Sequence, residues 1–381
     1  MMASMNPAID AYSFPTDIRV GQGARKLLPS TIESLDLKRP LVVTDRGVAA
    51  QPFIAEIAKL AGDAPVFSDM GGNPDESQVL AALDAYRKAD ADSIIAVGGG
   101  APMDVAKALA ILARNDGALF DYAIDANPAK TIEGPLPPLL ALPTTAGTGS
   151  EVGRSTVISE TDTHRKRILW SPGLLPKAVF ADPELLVGLP AKITAATGMD
   201  AITHCIEAFL TTAETNPLCD GIALEGLRLA SLHLKTSCET PGDLTARKAM
   251  LNSALMGAVA FQKGLGAVHS CAHALSTVAD LHHGLANAIM LPYVMRFNKD
   301  TCEAEFSRLA NAVDAPGGDF IGWIEALRKE IGIPNTLMSV GVTEEQIDRL
   351  ASIAAVDVCT PLNPKKVTED DFRRLFKEAL A

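Results

Sequence analysis

The hydrophobic pattern of this chain changes period part-way along its length, and that change limits the fold more than any other feature. Up to about residue 185, short β-rich runs alternate with helical ones: 40–44 reads as a strand, 51–62 as a helix, 93–97 as a strand and 103–114 as a helix. A further apolar run, 138–142, enters the turn-rich segment 143–149. Alternation of this kind builds βαβ units around a parallel sheet. Beyond that point the apolar residues recur with helical spacing only, over 193–210, 220–234, 246–259, 269–279, 286–295 and 320–329. Segment 368–381 reads as a closing helix capped by Thr368. The expectation is therefore an α/β domain over residues 1–185 and an all-α domain over residues 186–381.

Charge and cysteine usage narrow the function classes. With 34 basic and 46 acidic side chains the formal charge is −12, and no basic run or basic-and-aromatic stripe breaks that balance, so DNA or RNA has no electrostatic footing. The six cysteines are scattered without a CxxC pair, which fits reduced thiols in a cytoplasmic protein and not a structural zinc ribbon. Neither an export signal nor a membrane span is expected from the apolar runs.

The string GGGAPMD, 98–104, stands where a strand gives way to a helix. Residues without a Cβ let backbone N–H groups approach a phosphate there, and the helix N-terminus adds its positive dipole end. Asp45 closes an earlier strand, where a carboxylate can accept hydrogen bonds from ribose hydroxyls, and Thr144, Thr145 and Thr148 follow another strand with hydroxyls suited to phosphate or ribose. The glycines are not a GxGxxG motif and they come after the acidic residue, so a nucleotide-binding α/β domain other than the standard Rossmann form is expected.

In the second half, Asp200 and His204 lie four residues apart, on one helical face. His269 and His273 repeat that spacing, and His282 and His283 follow nearby. Unpartnered polar groups in such apolar helices would each cost a few kcal/mol. Shared coordination of a metal explains them together; a general acid–base cluster is the competing reading. A carboxylate with imidazoles and no thiolate suits Fe²⁺, Zn²⁺, Mn²⁺ or Co²⁺.

Taken in order, TD (44–45), NP (73–74), GGGAPMDVAK (98–107), PTTAGTGSEV (143–152), DPEL (182–185), ATGMDAITH (196–204), GAVHSCAH (266–273) and HG (283–284) resemble the iron-containing (group III) alcohol dehydrogenase family. The resemblance implies an α/β nucleotide-binding domain joined to an all-α metal-binding domain, the architecture shared with dehydroquinate synthase. It implies Asp200, His204, His269 and His283 as metal ligands, with His273 beside them as a catalytic proton relay and His282 without a role. It implies cofactor contacts at Asp45, Asn73, Gly99, Gly100, Asp104, Thr144, Thr145, Thr148, Ser155, Val157 and Lys166. Ala101 stands where a serine is common, so backbone amides must serve the phosphate without that hydroxyl. The acidic Asp45 favours NAD over NADP, because it would repel a 2′-phosphate. Fe²⁺ is the implied metal with Zn²⁺ as alternative, and the implied assembly is a homodimer or larger homo-oligomer.

The segments TAATGMD (194–200), FQKGLG (261–266) and NPKK (363–366) look closest to the 4-hydroxybutyrate dehydrogenase branch. The expected reaction is interconversion of a small primary alcohol with its aldehyde, the alcohol being an ω-hydroxy acid such as 4-hydroxybutyrate whose anionic end Lys263 could face. The alternatives are neutral primary alcohols or diols, or a lyase of the dehydroquinate synthase type. The lyase would need several basic residues around a phosphorylated substrate, and no such group lies beside His269.

Overall fold

The computed structural model describes residues 13–163, 165–212 and 216–381. Among the described residues eight strands form: β1 (Asp17–Val20), β2 (Pro40–Val43), β3 (Val66–Phe67), β4 (Ser93–Gly98), β5 (Leu139–Pro143), β6 (Ser155–Ser159), β7 (Lys166–Trp170) and β8 (Ala178–Ala181). Five helices lie among them: α1 (Leu28–Ser34), α2 (Arg46–Ala49), α3 (Pro52–Leu60), α4 (Glu76–Lys88) and α5 (Gly100–Arg114). Six strands build a wholly parallel sheet in the order β1-β8-β5-β4-β2-β3, while β6 and β7 pair as a separate antiparallel hairpin. Every residue of β2, β4, β5 and β8 is buried, which is why these runs read as unbroken apolar stretches without alternation.

The strand order fixes where a ligand can sit. From β2 the chain passes outward to β3, then returns to place β4 on the other side of β2, with Val43 level with Ala96. Such a reversal opens a crevice at the carboxyl ends of the two strands. Asp45 follows β2 and the glycine string ends β4, so both stand at the rim of that crevice.

The remaining helices are α6 (Ala191–Leu210), α7 (Pro217–Glu239), α8 (Leu244–Ala260), α9 (Ala267–Ala279), α10 (His283–Asn298), α11 (Glu303–Ala312), α12 (Phe320–Glu330), α13 (Ile347–Ala355) and α14 (Glu369–Leu380). All six helices expected in this half form, each running at least to the expected limits. Thr368 caps α14 as expected, accepting from the Asp371 amide in a reciprocal capping box. At the centre lies α6, buried from Thr194 through Leu210 and packed against α7, α8 and α10. The first turn of α10 meets α6 at Gly284, where a Cβ would stand 2.4 Å from the Ala196 carbonyl oxygen. Only glycine permits that approach, and the approach brings His283 to Asp200.

Candidate metal and nucleotide site

The candidate nucleotide half of the site is built on the ends of β2, β4 and β5. Gly98 has φ +150° and a Cβ there would lie 2.5 Å from Pro102 Cγ, so the turn from β4 into α5 demands glycine. Gly99 is the N-cap of α5, and Gly99 and Gly100 pack against Thr145 and Thr148 on the loop after β5. In the first turn of α5, Pro102 has no N–H and the Met103 amide bonds the Gly99 carbonyl, so the amides of Gly100 and Ala101 are the ones a helix N-terminus here offers to an anion. Asp45 Oδ1 accepts from the amides of Gly47 and Val48 at 2.8 and 2.9 Å, capping α2 and leaving Oδ2 without a hydrogen bond among the described residues.

Asp104, Ser155, Val157 and Lys166 meet on the face of α5 covered by the β6–β7 hairpin. Asp104 Oδ1 accepts from Ser150 Oγ at 3.2 Å, and the Asp104 carbonyl accepts from Thr156 Oγ1 at 2.8 Å. Burial pushes the Asp104 carboxyl up to about 6, against the opposing pull of Lys107 and Lys166. The ammonium of Lys166 is lowered by burial, and the carboxylates of Asp104, Asp280 and Asp200 act on it in the other direction. Asn73 donates from Nδ2 to Asp280 Oδ1 at 2.6 Å, tying the loop before α4 to the end of α9. Thr144 is buried behind the loop.

In the helical half, α6, α9 and α10 bring Asp200, His204, His269 and His283 together, one donor atom from each lying within 4.8 Å of the others. Nε2 of His204, His269 and His283 stand 3.8, 3.9 and 3.5 Å from Asp200 Oδ1. Two of these rings are fixed from behind. His204 Nδ1 donates to the Gly147 carbonyl at 3.2 Å, and His269 Nδ1 donates to Glu207 Oε2 at 2.6 Å. Since a carbonyl and a carboxylate only accept, the proton sits on Nδ1 and the Nε2 lone pair is left for the centre of the cluster. Burial lowers the imidazole of His204 to about 4 and that of His283 well below its ordinary value, so both are neutral donors near pH 7.

This donor set fits a divalent cation. Asn287, one turn after His283, donates from Nδ2 to Asp200 Oδ1 at 2.8 Å, while its own Oδ1 is buried without a partner. Four converging donors and an orphaned carboxamide oxygen in an apolar interior are the pattern expected of a cation site, and not of a packed core.

Glu207 escaped the sequence reading. Its carboxylate accepts from the amides of Val268 and His269 at 2.7 and 3.3 Å as well as from the His269 ring, so one buried side chain both caps α9 and aims a donor. The signal was available: Glu207 stands three residues after His204 and seven after Asp200, on the same face of α6. Asp357 was missed too. His273 Nδ1 donates to Asp357 Oδ2 at 2.9 Å, and the rings of His273 and His283 stack with centroids 5.4 Å apart. Burial alone would raise Asp357, yet His273 and the Cys359 amide hold it down at about 2. His282 caps α10, its Nδ1 accepting from the Leu285 amide at 3.4 Å.

Lys263, expected to face a substrate anion, is paired within the chain: its ammonium binds Asp220 Oδ1 at 2.6 Å and the Phe209 carbonyl at 3.5 Å, and its side chain is only 5% exposed. Asp220 lies 43 residues away in the chain, on α7, so nothing local in the sequence announces the pair.

A parallel-sheet domain with a crevice at its strand ends, set against a helical cluster of one carboxylate and three imidazoles, fits a metal-dependent, nucleotide-linked enzyme. Residues 15–183 match the iron-containing alcohol dehydrogenase family, and residues 194–380 match the C-terminal part of the Fe-containing alcohol dehydrogenase family. A 4-hydroxybutyrate dehydrogenase from Cupriavidus necator is 42% identical, covering 96% of this chain and 98% of its own length. The solved structure of a 1,3-propanediol oxidoreductase superposes with a TM-score of 0.92 at 33% identity, covering 98% of this chain and 100% of its own. A sulfoacetaldehyde reductase from Bifidobacterium kashiwanohense, solved in complex with NAD⁺, gives 0.91 at 29% identity over 98% of this chain and 99% of its own. The chain belongs to the iron-containing alcohol dehydrogenase family, and it is an alcohol dehydrogenase.

Proposed function

We propose that the chain interconverts a short primary alcohol and its aldehyde with NAD, at a divalent metal held by Asp200, His204, His269 and His283. The observation that carries this reading is the convergence of those four donors, with two of the imidazoles anchored through Nδ1. Iron is the first assignment, supported by the family, and zinc the second, since the same donors take either. When bound, such an ion supplies Lewis acidity that lowers the pKa of water by about nine units, roughly 12 kcal/mol, against about 1 kcal/mol for one hydrogen bond.

The chain's own residues do the rest. Amides at the start of α5 face the pyrophosphate, Asp45 Oδ2 accepts from ribose hydroxyls, and Thr145 and Thr148 line the loop opposite. A 2′-phosphate would meet the Asp45 carboxylate, which supports NAD over NADP. With Nδ1–H held by Asp357, His273 keeps Nε2 free to take the substrate hydroxyl proton and pass it outward, worth about 10²–10⁴-fold as a general base.

We assign 4-hydroxybutyrate as the leading substrate, on the strength of the 42%-identical relative of that name. The pairing of Lys263 with Asp220 favours a second reading, a neutral alcohol or diol, because it removes the one cation expected to hold the acid. The chain is taken to act in the cytoplasm, where its six buried thiols stay reduced, and as a homodimer or larger assembly. Protein purified without oxygen and analysed for metal, then assayed for NAD reduction on 4-hydroxybutyrate, 1,3-propanediol and 1-propanol, tests the whole reading. A kcat/KM at least ~10-fold higher for the acid supports the first assignment. Equal or lower values for the acid transfer it to the second, and full turnover by chelated, metal-free protein removes both.

A further inference from the structure

Beside the four-donor cluster stands a second group of ligating side chains, in which the reaction proposed above gives the cysteine no part. His273 on α9 faces Asp357 and Cys359, on the loop that leaves α13, and one donor atom from each lies within 4.8 Å of the others. Imidazole nitrogen, carboxylate oxygen and cysteine sulfur are the three common protein ligands of zinc, and three of them with an open fourth position form a recognised tetrahedral arrangement. We propose that His273, Asp357 and Cys359 form a second, zinc-selective site whose occupation withdraws His273 from proton transfer.

The carboxylate is already held for the purpose. Asp357 Oδ1 accepts from the Cys359 amide at 2.9 Å and from Ser270 Oγ at 3.3 Å, leaving Oδ2 to His273 Nδ1. Thr360 Oγ1 bonds both Ser270 Oγ at 2.8 Å and the Ala354 carbonyl at 2.7 Å, which pins the loop to α9 and α13. Tetrahedral zinc sets its ligand atoms roughly 3.3–3.8 Å apart, so the three donors need to shift by about an ångström or less. An ion can reach them, since the side chains of His273 and Asp357 are 21% and 13% exposed. The chemistry selects the ion: a thiolate favours zinc over iron(II) or magnesium, whereas the first cluster holds no sulfur.

The proton balance follows. Cys359 is buried and its thiol is held well above the ordinary value, so it enters the site as S–H and releases one proton to solvent as the sulfur–zinc bond forms. Zinc at Nδ1 of His273 replaces the proton now shared with Asp357, and that proton moves to Nε2. A ring protonated at Nε2 can no longer accept the substrate proton. The second ion therefore inhibits the same enzyme that the first activates.

The test uses full-length protein with its first cluster filled by zinc, dialysed against rising zinc and analysed for metal per chain. We expect wild type to rise from one ion to two at about 10–100 µM, with NAD reduction falling at least ~10-fold over the same range and recovering on mild chelation. Cys359→Ser should stop at one ion and need at least ~10-fold more zinc for the same fractional loss of its own zinc-free rate. Cobalt(II) gives a readout independent of any variant: the second equivalent on wild type should bring a sulfur-to-metal charge-transfer band in the near ultraviolet. That band cannot arise from the first cluster, so it reports on the second even if the first binds no metal. Wild-type protein that binds cobalt at any stoichiometry without the band, or a Cys359→Ser protein that binds that ion as tightly as wild type, overturns the proposal.

Discussion

Glu207 Oε2 lies 2.6 Å from Nδ1 of His269, inside a core where both side chains are almost wholly hidden from solvent. The pair fixes the tautomer and the direction of the ring at once, and Glu207 also satisfies the first amides of α9. Glu207→Gln keeps the volume but loses the charge that pairs with the ring N–H. Metal affinity should fall about 10–100-fold, read by competition with a chromogenic chelator. An unchanged affinity would mean that His269 does not bind the metal or does not need orienting.

Asp200 is the only carboxylate in the cluster, with the three imidazole Nε2 atoms ranged about one of its oxygens at 3.5–3.9 Å. Asp200→Ala should abolish stoichiometric metal and lower kcat by ~10³-fold or more, because the charge that balances the ion is gone. NAD binding, followed by isothermal calorimetry, should change by less than ~3-fold, because the crevice at β2 and β4 is built by other residues. Loss of both together would mean that the chain had lost its fold.

Asp45 presents one free carboxylate oxygen at the crevice, the other being occupied by two amides. Asp45→Gly removes the charge that would oppose a 2′-phosphate but also the cap of α2. The ratio of kcat/KM for NAD to that for NADP should therefore drop by ~10–100-fold, mostly through the NAD arm. A ratio that stays constant would place the adenosine ribose elsewhere.

Legibility in the sequence followed locality. The strands β2, β4 and β5 were visible because burial on both faces leaves short unbroken apolar runs, whereas β1, with half its residues exposed at the sheet edge, and the four-residue β8 carry too little pattern. The helix α7 runs from Pro217 to Glu239, beyond the expected 220–234, since Asn216 caps it through the Cys219 amide and no such cap was read. Ligand candidates were visible because they repeat at one helical turn. What contacts them was not. The links Glu207–His269, His273–Asp357 and Lys263–Asp220 span 62, 84 and 43 residues, and only packing of α6, α7, α9 and the loop after α13 creates them.

Lys263 carries a consequence opposite to its sequence expectation. With its charge spent on Asp220, Lys263→Ala should alter KM for 4-hydroxybutyrate and for a neutral alcohol equally, within about 2-fold. Stability should fall by about 1–3 kcal/mol, since a partly buried Asp220 loses its partner. A selective rise in KM for the acid, at unchanged Tm, would return Lys263 to the substrate.

Glu151 tests how the loop after β5 tolerates a buried charge. Its Oε1 has no hydrogen-bond partner, and burial pushes the carboxyl up to about 7, against its own amide and the ammonium of Lys107. Between the ordinary value of 4.5 and about 7 the folded chain keeps a proton that the unfolded chain has lost. Stability from this group is therefore present below pH 4.5 and is lost as pH rises through 7. The full loss is on the order of 3 kcal/mol. Glu151→Gln stays neutral at every pH and leaves the three hydrogen bonds of Lys107 to Ser150 and Ser155 in place. Its Tm should match wild type near pH 4.5 and exceed it by ~2–5 °C at pH 8, read by calorimetry on both proteins across that range. A gap that is constant with pH would show that Glu151 is charged in the folded chain and that Lys107 is its effective partner.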